Sequence, residues 1–347
     1  MNFPWRRLHL TLGLTAGAVF ALIGVTGSLL VFQGELDRWL NPALFTPSVS
    51  ESGNTLSPGE AQSALEAAAP EGRLLTFLNL PGDNGEVYRG YYGHPDIRLF
   101  ETFVTLDPYT GEVLGTRSVD DGLMRFVHIL HFRLQLDRTG QNLVGSIGLL
   151  MLLLFTAGLV IWYRQRRAAQ RRWHPTLAVY GLPLLFLIVI SGTLLALPQY
   201  TRPAVERVSP LSGLDLGLAS TPAAGSKDIG LDRALTKAAE VMPEATPSSV
   251  GLPRGETGIY RVSFQAPQWQ RRGSAHVVVD RYNGEILAHR HWSQRSGGDQ
   301  FMAWLRPLHV GSAFGLPGKI LYALAGLLPL LLYVTGVRLW LRRRREV

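Results

Sequence analysis

Four stretches of this chain stay apolar for longer than a soluble core element requires, and they constrain everything else about its architecture. Crossing the hydrocarbon core of a bilayer takes about 20 apolar helical residues. Leu8–Phe32, Leu143–Tyr163 and Pro175–Tyr200 contain no Asp, Glu, Lys or Arg. Ile320–Leu341 carries one charge, Arg338, close enough to its end for the guanidinium to reach the headgroups. Trp5, Trp162, Tyr163, Trp173, Tyr200, Tyr322 and Trp340 mark the edges, where amphipathic rings settle at a membrane interface. The first span follows Arg6 and Arg7, but it is too long for a signal-peptide core. It reads as a retained helix.

Charge then sets the orientation. The 347 residues hold 34 Lys and Arg against 26 Asp and Glu, a net +8. The excess is concentrated in three short segments, Arg6–Arg7, Arg164–Arg172 and Arg342–Arg345, which flank the spans on one side. The positive-inside rule predicts both termini and the Arg-rich loop in the cytoplasm. The basic balance thus reflects topology and contact with anionic lipid rather than a nucleic-acid partner. The chain has no cysteine. That excludes disulfides, iron–sulfur clusters and covalently attached c-type haem.

The expected fold is an α-helical membrane protein of four transmembrane helices with two periplasmic α+β units. The first helix takes residues 1–32, the first outer unit 33–121, a histidine-bearing interfacial segment 122–141 and the second helix 142–163. A cytoplasmic loop follows at 164–174, then the third helix at 175–200 and the second outer unit at 201–298. A second histidine-bearing segment (299–318), the fourth helix (319–341) and a cytoplasmic tail (342–347) complete the chain. Each outer unit opens on Pro-, Ser- and Gly-rich sequence, Asn41–Pro58 and Pro210–Lys227. A capping-box pattern, Ser57-Pro58-Gly59-Glu60, starts a helix running to Pro70. Strand-like runs follow at Leu74–Leu80, Glu86–Tyr92 and Glu101–Leu106. The second unit has a helical stretch at Leu231–Met242.

The two halves read as an internal duplication. With His9 placed on His174, Val25-Thr26-Gly27-Ser28-Leu29-Leu30 falls on Ile190-Ser191-Gly192-Thr193-Leu194-Leu195 without a gap. The turns Asp107-Pro108-Tyr109-Thr110-Gly111-Glu112 and Asp280-Arg281-Tyr282-Asn283-Gly284-Glu285 correspond as well. With His131 placed on His309, Gly158 falls on Gly336 and Trp162 on Trp340.

Four of the nine histidines therefore form two matched pairs. His9 and His174 lie at the cytoplasmic ends of the first and third spans; His131 and His309 precede the second and fourth, at the outer face. Neutral imidazole is a common metal ligand, and two can supply both axial positions of a haem iron. Noncovalent b-type haem needs no C-x-x-C-H, so two haem b groups are expected. Zinc fits less well, because two imidazoles without nearby carboxylates or thiolates make a poor tetrahedral site. His128, three residues before His131, could replace it as ligand or contact a propionate; its counterpart is Arg306, so symmetry favours His131. His94, His276, His289 and His291 lack matched partners and read as surface residues. Gly27 and Gly192 near the outer face, and Gly158 and Gly336 near the inner one, would admit macrocycle edges, or serve ordinary helix packing. The aromatic stretches Tyr88–Tyr92 and Gln268–Arg272 suit ligand contact or sheet packing.

These strings resemble the PepSY-associated transmembrane family over nearly the whole chain. The resemblance is carried by Leu8-His9 through Val25-Thr26-Gly27, by Ile129-Leu130-His131, and by Pro307-Leu308-His309-Val310-Gly311-Ser312-Ala313-Phe314-Gly315-Leu316-Pro317-Gly318-Lys319. The last runs on into Tyr333-Val334-Thr335-Gly336-Val337-Arg338-Leu339-Trp340. It implies PepSY-like outer units and, by analogy with dihaem members, an oxidoreductase that releases iron from ferric siderophores in the periplasm. His9, His174, His131 and His309 would be the haem ligands. His174 departs from the pattern in being followed directly by Pro175. Without a G-x-G-x-x-G loop for flavin or nicotinamide, the electrons are expected from quinol or a separate donor. The alternative reading is a membrane-anchored PepSY module that binds or inhibits extracytoplasmic peptidases, which leaves the matched histidines unexplained. A transporter fits least, because the spans carry no ionisable residue at mid-membrane.

Overall fold

The computed structural model describes residues 4–48, 54–82, 86–94, 100–169 (166–169 as backbone alone), 173–212, 217–222, 225–265 and 275–345. In chain order its elements begin with α1 (Trp5–Leu14), α2 (Ala16–Leu30), α3 (Gln33–Leu40), α4 (Pro42–Phe45) and α5 (Pro58–Ala67). Strands β1 (Leu74–Asn79), β2 (Tyr88–Gly93), β3 (Thr102–Leu106) and β4 (Val113–Ser118) follow. Next come α6 (Leu123–Arg133), α7 (Asp137–Ala169), α8 (Trp173–Ala196), α9 (Pro198–Glu206) and α10 (Leu231–Val241). The last are β5 (Thr246–Gly251), β6 (Ile259–Gln265), β7 (Ala275–Asp280), β8 (Ile286–Arg290), α11 (Gly297–His309), α12 (Gly315–Ala325) and α13 (Leu328–Arg345). Two units result, one from residues 1–34, 122–211 and 301–347, the other from 35–121 and 212–300.

The first unit is helical. Asp137–Gln165, Trp173–Ala196 and Ser312–Arg345 are each long and apolar enough to cross a membrane, and α1 with α2 makes a fourth span if the pair is taken together. That pair is bent by 53°. The break falls at Thr15, whose φ of −94° and ψ of −81° leave the helical region. The Thr11 carbonyl accepts from both the Thr15 N–H, at 3.1 Å, and the Thr15 hydroxyl, at 2.8 Å, a back-bond that often accompanies a bend. The first span is thus two helices where the sequence reads as one.

Lipid tails are as apolar as leucine, so helix association in a membrane depends on close packing. Glycines supply it. Gly145 and Gly148 of α7 lie against Leu197 and Thr193, and Gly24 of α2 lies against Gly326 and Pro329. Ala16, Ile23, Ile147, Met151, Phe155, Leu185 and Val189 fill the interior. Leu22, Leu29, Leu149, Leu153, Leu321, Leu324 and Leu331 point outward, as a lipid-facing surface requires. Between α6 and α7 the chain reverses through three left-handed residues, Leu134, Gln135 and Asp137. This turn fixes the C-terminal end of α6, which carries His131.

The second unit is one antiparallel sheet of eight strands in the order β4-β3-β2-β1-β5-β6-β7-β8. The sequence reads as two separate α+β units. Here they are joined by β1 and β5, in the register Phe77↔Gly251, Leu78↔Val250 and Asn79↔Ser249. Apart, each strand would be an open edge with unpaired N–H and C=O groups; pairing removes both edges. α5 and α10 supply Ala61, Leu65, Leu231, Ala234, Leu235 and Ala238 to the core, which they share with Leu78, Tyr92, Val250 and Tyr260 of the sheet. Tyr88 and Tyr92 belong to this core, their hydroxyls donating to the Leu56 and Leu65 carbonyls. For these two the aromatic stretch is sheet packing; Gln268–Arg272 lies outside the described residues.

Local signals hold up well in this unit. The capping box at α5 is complete: Ser57 Oγ accepts from the Glu60 N–H at 3.2 Å, and Glu60 Oε2 from the Ser57 N–H at 2.7 Å. The paired turns are closed by aspartates. Asp107 accepts from the N–H groups of Tyr109, Thr110 and Ser48; Asp280 accepts from those of Tyr282, Asn283 and Thr221. Burial pushes both carboxyls up, but these backbone donors outweigh it and hold each below the ordinary value.

Candidate functional site

The four matched histidines come together in the helical unit as two pairs. His9 of α1 faces His174 of α8 with ring centres 6.3 Å apart and planes at 83°. His131 of α6 faces His309 of α11 with ring centres 6.1 Å apart and planes at 47°. α8 runs from one pair to the other. It begins beside His174, and Gly192, 18 residues further on, touches His309. At 1.5 Å per residue that is about 27 Å along the helix. Pro175 does not disturb His174: it sits in the first turn of α8, where no backbone N–H is required for the helical ladder.

Each imidazole lies in a notch over a glycine on another helix. A Cβ placed on Gly192 would be 2.5 Å from His309 Cε1; on Gly27, 2.9 Å from His131 Cε1; on Gly158, 3.0 Å from His9 Cε1; on Gly336, 3.3 Å from His174 Cε1. The sequence suggests these glycines as room for a macrocycle. The structure puts the histidine ring itself there.

The notch also exposes a backbone acceptor. His131 Nδ1 is 2.9 Å from the Ile23 carbonyl, His309 Nδ1 is 2.9 Å from that of Ile188, and His9 Nδ1 is 3.2 Å from that of Leu154. His174 Nδ1 is 2.9 Å from Thr335 Oγ1, and the ring has a backbone hydrogen bond with Leu332. In every case the carbonyl belongs to the residue four before the glycine. A carbonyl only accepts, so Nδ1 must carry the ring hydrogen. The neutral imidazole then keeps its free lone pair on Nε2, and Nε2 of none of the four makes a hydrogen bond among the described residues. The fold has selected the tautomer that a metal ligand requires.

The donor set narrows what could be held. No group of three or more His, Cys, Asp or Glu suited to a metal occurs among the described residues, so each pair offers two donors. Structural zinc asks for four protein ligands, whereas porphyrin iron brings its own equatorial nitrogens and needs two axial ones. With metal–imidazole bonds of about 2.0–2.1 Å and about 1.1 Å from nitrogen to ring centre, two imidazoles sharing one ion have centres about 6.3 Å apart. Both observed spacings fit.

His131, not His128, joins the outer pair. His128 stacks on Phe132 with ring centres 5.1 Å apart, in the field of Arg125, Arg133 and Arg306. His291 bonds to Glu244 at 2.8 Å in the sheet unit. At the His9 end, Pro4, Trp5, Arg6, Arg7, Ile161, Arg164 and Gln165 line a surface recess of about 410 Å³. The side chains of Arg166, Arg167, Arg171 and Arg172 lie outside the described residues.

The sequence profile of the PepSY-associated TM region matches residues 6–343, a stretch that contains all four histidines and their glycines. The chain belongs to the PepSY-associated TM family. It is a multi-pass membrane protein of that family, combining apolar helices with a large antiparallel sheet. No curated protein matches it. Within this PepSY-associated TM chain, sequence reasoning missed the Nδ1 acceptors. A signal was present: Val25-Thr26-Gly27, Ile190-Ser191-Gly192 and Val334-Thr335-Gly336 each put a small hydroxyl residue directly before the notch glycine.

Proposed function

We propose that this protein is a b-type dihaem electron-transfer protein of the bacterial inner membrane. It carries electrons from a quinol or another cytoplasmic-side or membrane donor to a ferric complex of siderophore type in the periplasm, as an oxidoreductase of iron uptake. The termini and the Arg-rich loop face the cytoplasm, and the sheet unit, made of two PepSY-like halves of an internal duplication, faces the periplasm. The observation that carries this reading is the repetition of one arrangement at both ends of α8: two imidazoles at single-ion spacing, each with Nδ1 hydrogen-bonded and Nε2 free.

A haem held by each pair would supply reversible one-electron exchange at its iron. The chain's own residues do the rest. His9 with His174, and His131 with His309, would hold the haem iron through Nε2. The carbonyls of Leu154, Leu332, Ile23 and Ile188 fix the rings, and the glycines let them lie against the helices. Ile23, Met151, Phe155, Leu185 and Val189 keep water out of the interior between the ends. Reduction serves iron release because hard oxygen chelators hold Fe(II) far less tightly than Fe(III).

The test uses the purified chain in sealed proteoliposomes with dithionite inside, and a ferric hydroxamate with an Fe(II)-specific chromophore outside. Fe(II) should appear outside only with the protein present, and His9→Ala or His309→Ala should abolish it. Equal Fe(II) from protein-free vesicles, or from both variants, would refute the activity.

A further inference from the structure

The residue before three of the four notch glycines presents a hydroxyl to Nδ1 of the histidine. Thr26 Oγ1 is 3.2 Å from His131 Nδ1, Ser191 Oγ is 3.3 Å from His309 Nδ1, and Thr335 Oγ1 is 2.9 Å from His174 Nδ1. A hydroxyl has one hydrogen and two acceptor lone pairs. Each of these hydrogens already serves its own helix. Thr26 donates to Leu22 or Ile23, Ser191 to Leu187 or Ile188, and Thr335 to Leu331 or Leu332, over 2.6–3.2 Å. Toward the imidazole, each oxygen is therefore an acceptor. His131 and His309 thus have a second acceptor on one N–H, and His174 has the Thr335 hydroxyl beside its backbone bond with Leu332. The fourth does not: among the described residues His9 Nδ1 has the Leu154 carbonyl, at 3.2 Å, and the position matching the hydroxyl residues is Ala157.

A second acceptor on Nδ1–H draws negative charge onto the ring and makes Nε2 a stronger donor. A stronger donor favours Fe(III) over Fe(II) and lowers the reduction potential of the iron it binds. Resting on the dihaem reading, we propose that Thr26, Ser191 and Thr335 are positioning residues whose hydroxyls lower the potential of the iron bound by their histidines. Ala157 leaves His9 without this contribution, so the two sites are tuned unequally by design of the helices.

The experiment is a potentiometric titration, followed optically, of the full-length detergent-solubilised protein with haem content measured alongside. Thr26→Val and Ser191→Ala should each retain haem and shift the same one of two components to higher potential. Thr335→Val should raise the other component, and Ala157→Ser, which installs the missing hydroxyl, should lower it. Ser191→Thr, which keeps a hydroxyl, should titrate as wild type. If a removal variant loses haem, the sign of the Ala157→Ser shift decides. Unmoved components in haem-loaded variants, or a positive shift in Ala157→Ser, would overturn this proposal alone. A colourless wild type would overturn the dihaem reading and the tuning with it.

Discussion

At the level of single residues, glycine does here what no other side chain could. Adding a methyl group to a helical glycine ordinarily stabilises the helix, by about 1 kcal/mol of propensity. At the four notches the same methyl meets an imidazole carbon, most severely at Gly192 (2.5 Å) and least at Gly336 (3.3 Å). The two effects oppose each other and are separable. Gly192→Ala should keep or raise helix content by circular dichroism while losing haem. The loss across the series should rank Gly192, Gly27, Gly158, Gly336. Equal haem content in all four variants would show that the notches do not position the ligands. The histidines and glycines were legible in the sequence as matched positions, because side chains can be aligned between the two halves. The carbonyls that hold Nδ1 were not, since every residue has one and only the helix crossing selects which is reached.

Among the elements, the Asp107 and Asp280 turns show local chemistry read correctly and the β1–β5 pairing shows where such reading stops. A D-x-x-x-G-E turn is encoded within six residues, and its aspartate, glycine and backbone donors all appear as expected. The β1–β5 ladder joins residues about 170 positions apart and leaves no mark in either strand's alternation. The broken first span is similar: hydropathy runs straight through Thr15, where the backbone leaves the helical region. The turns carry a pH dependence. Their carboxyls titrate below the ordinary 3.8 when folded. They therefore contribute stability that is complete above that value and is lost as pH falls through the lowered folded value. Asp280→Asn should weaken protection of β7 amides at pH 7 by about 1–2 kcal/mol, and the deficit relative to wild type should shrink toward pH 3, as read by hydrogen exchange on the full-length protein. A deficit independent of pH would assign the loss to shape rather than charge.

For the molecule as a whole, the distribution of arginine predicts sidedness, and the lack of cysteine makes it easy to measure. A cysteine placed at exposed Glu71 in the sheet unit should react with a membrane-impermeant maleimide added to intact spheroplasts. One placed at exposed Arg345 should react only after lysis. The reverse pattern would invert the topology and the proposed direction of electron flow. More central still is whether each end of α8 holds a cofactor. Haem should therefore be quantified per chain in protein purified after expression with ample haem supply, with the reduced-minus-oxidised spectrum recorded on the same sample. Two noncovalent, low-spin b-type haems per chain are expected, falling to about one in His9→Ala or His309→Ala. A colourless chain, or one whose haem content is indifferent to both substitutions, would contradict it.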